Sequence, residues 1–298
     1  MSGLGPIAAV TIATPELQSA IDAWRLYLGH ELADHDRLTP AMAGQFGRPG
    51  LAGRRYALML PAGEGQTWIR FIESKPDPAY RPFLHMGWNA AELMVQDTDR
   101  AAAQIAGSPF RVIGPPADLS ISDKIRAMQA IGPANEAIYL TSFKEKLAAF
   151  DVPDATHFID RVFIVILGGP SCEAVGGFYS RHFGVPPAGI TPSVITVLSA
   201  AHGLPADTRH PLAALALAGQ CYIEVDAMPA GTLARPAPAD ELPPGIAMVT
   251  FLVDRLPEDP ALAWLAEPRT LPQAPYHGRR TGVCIGPAGE WIELVERE

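Results

Sequence analysis

Apolar residues recur along this chain in two rhythms. Short, largely apolar runs at residues 7–12, 90–95, 159–165 and 247–253 each predict a strand. Helix-like stretches follow. The clearest spans residues 16–28, where Leu17, Ile21, Trp24 and Leu28 fall at helical spacing before Gly29. A counterpart at residues 172–183 stops before Gly184, and weaker helices are expected at 99–105 and 259–265. Four further runs, at 68–72, 137–140, 221–225 and 291–294, close the segments that the first four open.

One of these closing stretches occurs twice. Ile131-Gly132-Pro133-Ala134-Asn135-Glu136-Ala137-Ile138-Tyr139-Leu140 aligns with Ile285-Gly286-Pro287-Ala288-Gly289-Glu290-Trp291-Ile292-Glu293-Leu294 at an offset of 154 residues. Each reads as a tight turn leading into a strand. Pro presets φ, and Gly289 or Asn135 tolerates positive φ. Beyond the second turn, Trp291, Glu293 and Val295 share one face, opposite Ile292 and Leu294. Glu293 is therefore a carboxylate set among large apolar neighbours.

The segments between opening and closing runs alternate long, short, long, short, and the two halves match at the same offset to within two residues. A pair of strand–helix–strands units has been copied whole. The expected domains are residues 1–148 and 149–298, joined by a polar linker at 144–157 that holds Pro153. A lone unit would leave one sheet face bare, so units are expected to share cores or curl around a cavity.

Composition narrows the function classes. A net charge of −9 with no basic cluster argues against a nucleic-acid partner. No apolar run reaches the ~18 residues of a membrane span, and the N-terminus lacks the pattern of a secretory signal. Three scattered cysteines, an odd number, point to reduced thiols in a cytoplasmic protein.

Four βαβββ units with the closer Gly-Glu-Trp-Ile-Glu-Leu-Val-Glu resemble the vicinal oxygen chelate superfamily of glyoxalases, bleomycin-resistance proteins and extradiol dioxygenases. The resemblance implies an α+β fold: four βαβββ modules in two tandem domains, each a curved mixed sheet forming a cup-like half-barrel. It also implies that two modules close each cup, the openers supplying His and the closers Glu as metal ligands. Carried over residue by residue, the C-terminal pair holds Arg161, Glu224, Met248 and Glu293 at these places. The N-terminal pair holds Ala9, Arg70, Glu92 and Tyr139. No opener carries His.

Arg161 cannot deprotonate and repels a cation. Glu224 and Glu293 either pair with Arg161 in a buried ion cluster, hold a divalent metal with waters or with His277, or lie solvated at a rim. In Pro275-Tyr276-His277-Gly278 only one of the two adjacent side chains can face a cup, and His277 is either an acid–base group or a surface histidine without a role. Cys284, between Val283 and Ile285, reads as inert packing.

The expected activity is lyase, isomerase or hydrolase chemistry by proton transfer on a small, largely apolar, aromatic metabolite. Its catalytic candidates are Glu293, Glu224, Arg161 and His277, and its binding candidates are Trp291, Tyr222, Met248, Arg70, Glu92 and Tyr139. Two alternatives stand beside it: a sequestering protein of the bleomycin-resistance kind, and a metal-dependent dioxygenase. The expected partner is a small molecule, and the chain is expected to be a monomer or homodimer.

Overall fold

A computed structural model describes residues 3–61, 67–75, 77–148 and 150–297. Its elements fall into the four expected modules. The first contains β1 (Leu4–Thr14), α1 (Leu17–Leu28), β2 (His30–Arg37), α2 (Pro40–Gln45), β3 (Arg55–Pro61) and β4 (Trp68–Glu73). The second contains β5 (Gly87–Val95), α3 (Thr98–Ile105), β6 (Arg111–Leu119), β7 (Ser122–Ile131) and β8 (Ala137–Phe143). The third has β9 (Ile159–Gly169), α4 (Cys172–Phe183), β10 (Ile190–Val194), α5 (Thr196–Ala201), β11 (Arg209–Leu217) and β12 (Cys221–Ala227). The fourth has β13 (Gly245–Val253), β14 (Arg269–Thr270), β15 (Arg280–Ile285) and β16 (Trp291–Glu296).

The long helices end where the glycines predict: Gly29 and Gly184 take φ of 69° and 64°, a left-handed cap that a Cβ would disfavour. The helix expected at 259–265 does not form, and bends and turns stand there instead. Pro257 and Pro260 remove donors and push the residues before them out of helical geometry.

The strands make two eight-stranded sheets, in the orders β14-β15-β16-β13-β1-β4-β3-β2 and β10-β11-β12-β9-β5-β8-β7-β6. The fold is α+β, and each sheet joins a module from one half to a module from the other. β1 pairs antiparallel with β13, and β5 with β9. Within a module the opener and closer are parallel neighbours. The point between residues 148 and 149, expected to separate the halves, lies on the connection between β8 and β9, two strands of the same sheet.

Alternation along the central strands sorts residues between two faces. Val10, Ile12, Ile69, Phe71, Val249, Phe251, Ile292 and Leu294 join residues of α1, α3, α4 and the other sheet in a shared core. Their neighbours Thr11, Arg70, Thr250 and Glu293 face the opposite way, into the first cup. That cup is filled. Leu38, Met42, Phe46 and Leu51 from the segment around α2, together with Leu242, Leu271 and Tyr276, pack there against Met248 and Trp291.

The repeated turn knits the modules together. Glu136 folds back to accept from Ala134 N–H at 2.8 Å and from Trp24 Nε1 of α1 at 2.9 Å. Glu290 repeats this with Ala288 N–H at 2.8 Å and the Tyr179 hydroxyl of α4 at 3.2 Å. Both carboxyls are buried, which pushes each up to about 7. Asn135 and Gly289 take the expected positive φ, 62° and 75°.

Candidate functional site

Register between opener and closer settles which side chains face each cup. Thr11 pairs with Arg70 and Thr250 with Glu293. In the other sheet Glu92 pairs with Tyr139 and Ile166 with Glu224. The opener positions of the first sheet are therefore Thr11 and Thr250, each two residues beyond the expected Ala9 and Met248. A shift of two keeps a side chain on the same face, so alternation could not distinguish these choices.

In the first cup Arg70 is fully buried. It donates from Nη2 to Glu293 Oε2 at 2.8 Å, from Nε to Thr11 Oγ1 at 2.8 Å and from Nη1 to the Tyr276 hydroxyl at 2.8 Å. Glu293 accepts further from Thr250 Oγ1 and, at 2.7 Å, from the Tyr276 hydroxyl. Burial disfavours a charged guanidinium, but the charges of and hydrogen bonds to Glu293 and Tyr276 together outweigh it and hold Arg70 protonated. This is an internally satisfied ion pair under an apolar lid.

The expected cluster of Arg161 with Glu224 and Glu293 is not what the chain builds. Glu293 and Glu224 lie in different sheets. Glu293 pairs with Arg70 instead, and Arg161, at the start of β9, is not among the residues lining the cavity described below. His277 sits exposed in a turn at φ 51°, while its neighbour Tyr276 is the one buried in the cup. Trp291 and Met248 are core of the filled cup.

The second cup is open. A cavity of about 400 Å³ is floored by Glu92, Tyr139, Ile164, Tyr222 and Glu224. Its walls include Phe143, Phe150, Ile195, Val197 and Leu212. Segment 150–152 closes one side, held where Asp151 N–H donates to the Tyr222 hydroxyl at 3.0 Å. α5, the counterpart of α2, covers only one end, where Ile195, Val197 and Leu198 pack on Phe83. A larger depression of about 640 Å³ lies beside Lys146, Asp154 and Gln220, but it holds none of the floor carboxyls and is rimmed by exposed charges.

Electrostatics single out the floor. Burial raises Glu92 to about 7. Glu224 is raised well above the usual carboxylate range by burial and by the adjacent Asp226 and Glu92 charges. Asp226, two residues on along the same face of β12, is raised by burial to about 7, and its Oδ1 has no hydrogen-bond partner. The Tyr139 hydroxyl is buried, has no partner and is held protonated by burial among these acids. Asp226 was not anticipated from sequence, although its place two residues after Glu224 was the available signal.

The fold resemblance implies a divalent cation in a cup, and the donor sets can be tested for it. In the first cup the Arg70 guanidinium stands at the closer position and would repel a cation from Glu293. In the second the floor offers two carboxyls biased toward the neutral form and a phenol, with Ile166 beside Glu224 and no imidazole. Glu224, Glu293 and His277 do not converge. Among the described residues no group of three or more His, Cys, Asp or Glu is placed to hold a metal ion. The residues present do not fit the group.

No family model matches the sequence, and no curated protein matches it. Solved structures do. Glyoxalase I from Zea mays superposes with a TM-score of 0.66 at 12% identity, covering 97% of this chain and 92% of that one. A point mutant of the same maize enzyme gives 0.66 at 13% with the same coverage. A Bacillus subtilis protein proposed to be a dioxygenase gives 0.58 at 11%, covering 97% and 84%. Identity this low carries architecture alone. The chain has the fold of the vicinal oxygen chelate superfamily, four βαβββ-type modules paired across two sheets.

Proposed function

We propose that the second cup is the active site of a proton-transfer enzyme, an isomerase or lyase acting on a small, largely apolar molecule with a flat aromatic body. The observation that carries this reading is Glu92 beside Tyr139 on the cavity floor. A carboxyl held near 7 takes up and returns a proton at neutral pH with little driving force lost either way. The neighbouring Tyr139 hydroxyl, lacking a partner in the protein, is available to donate to an oxygen on which charge develops. The apolar walls exclude water and strengthen both effects. Glu224, across the floor, holds and orients the substrate.

Free, buried Cys172, Cys221 and Cys284 support a reducing, cytoplasmic setting. One chain supplies both modules of each cup, so a monomer suffices.

The test is exchange in D2O with a panel of aryl ketones, following deuterium entry beside the carbonyl by NMR. Native protein should catalyse exchange of at least one member. Glu92→Gln should lose it by about a hundred-fold or more while still binding that ketone. The largely apolar wall also favours a second reading, a sequestering protein. Tight ketone binding with no exchange by the native chain would establish that reading instead.

A further inference from the structure

The two cups are copies, and comparing them position by position exposes an imbalance. At the offset of 154 residues, Arg70 corresponds to Glu224 and Glu293 to Tyr139. The strand register adds Thr11 against Ile166 and Thr250 against Glu92. The first cup thus holds one base and one acid, paired at 2.8 Å. The second holds two acids and a phenol, with a third acid, Asp226, beside them.

No lysine, arginine or histidine among the described residues lines the second cavity. The cation that neutralises the first cup has no counterpart in the second. Burying carboxyls without a counter-charge is unfavourable unless something else supplies one. A further polar atom points to a missing partner. The Tyr139 hydroxyl, on a lining side chain 8% exposed, makes no hydrogen bond among the described residues.

We infer that the second cup binds an organic cation, a protonated amine carried on a flat apolar body, with the ammonium against Glu224 and the body between Phe143, Ile164 and Val197. The inference rests on the reading of this cup as the ligand site and adds the ligand's charge. An anion would meet these acids with no basic side chain among the lining residues to pair with it. The ammonium donates to Glu224 and draws it from the neutral into the carboxylate form. The Glu92 and Tyr139 end remains free for proton transfer on the rest of the molecule.

Three probes of one shape separate the possibilities on the native chain: 2-naphthylmethylamine, 2-naphthylmethanol and 2-naphthoate, titrated at pH 7 with NMR of the cavity residues as the reporter. The amine should bind at least about ten-fold more tightly than the alcohol, and the carboxylate most weakly. Glu224→Gln should weaken the amine by about ten-fold and leave the alcohol unchanged. An alcohol or carboxylate that binds in the cavity as well as the amine would overturn the charge assignment while leaving the cup as the ligand site. Displacement of the amine by Mn2+ or Zn2+ bound alone in the cavity would overturn it in favour of an inorganic cation. Failure of all three probes to perturb the cavity would overturn both the inference and the site.

Discussion

Arg70 and Glu293 lie 223 residues apart in sequence, yet their side chains meet at 2.8 Å with neither exposed to solvent. They come from the closing strands of the first and fourth modules, so the contact spans the join between the halves. In the corresponding place of the other sheet stand Glu224 and Tyr139 over an open cavity. One cup has become core and the other has kept its space.

Breaking the pair from one side leaves a buried charge without a partner. Glu293→Gln should destabilise the chain by about 3–5 kcal/mol, measured by urea unfolding. Replacing both at once, Arg70→Met with Glu293→Leu, should recover most of that loss, because no charge is then stranded. A double variant no more stable than the single one would show that the pair is needed for more than charge balance.

Stability should fall as pH rises through neutrality. Glu92, Glu136, Asp226 and Glu290 are each raised by burial to about 7, from ordinary values of 4.5 or 3.8. Between those limits the folded chain holds more protons than the unfolded one, so the unfolding free energy decreases with pH and levels off above 7. Carboxylates held low by partners, such as Glu73 by Arg55 and Asp99 by Arg126, lose their contribution only at more acid pH. Tm should therefore peak near pH ~5 and be lower at pH ~8. Glu136→Gln with Glu290→Gln should flatten the decline, and an unchanged slope would remove these two groups from the account.

The first glycine of the repeated turn is fixed by the glutamate that follows it. A Cβ on Gly286 would lie 1.9 Å from Glu290 Oε1, and one on Gly132 would lie 2.1 Å from Glu136 Oε1. Those carboxyls are pinned by Ala288 and Tyr179, or by Ala134 and Trp24, and cannot swing away freely. Gly286→Ala should lose about 1–3 kcal/mol by chemical denaturation. Adding Glu290→Ala should give part of this back, and strict additivity of the two losses would refute the clash.

Expressed alone, residues 1–148 should not behave as a stable monomer. β1 and β5 would each lose their antiparallel partner, β13 or β9, and expose a long apolar edge. The expected product is a homodimer or an aggregate, read by light scattering. A folded monomer would show that the halves are independent domains.

Much of the scaffold was legible because it is local. Period-two alternation, helical spacing of Leu17, Ile21, Trp24 and Leu28, and the turn residues of the repeat all act within a few positions. They located eight central strands and three of the four expected helices, and they placed Glu293 on a different face from Ile292. Which modules meet is a long-range matter. Every opener has two strand edges, and the choice of β13 for β1 depends on sheet registers and packing that leave no trace in local spacing. That choice moved Glu293 from Arg161 to Arg70, and it separated Glu224 from Glu293. Whether a cup fills or stays empty was equally invisible, because it depends on how far the segments around α2 and α5 reach across their sheets. The sequence by itself determined the repeated modules and the faces of their strands; tertiary structure decided which acids share a cavity and which acid finds its base.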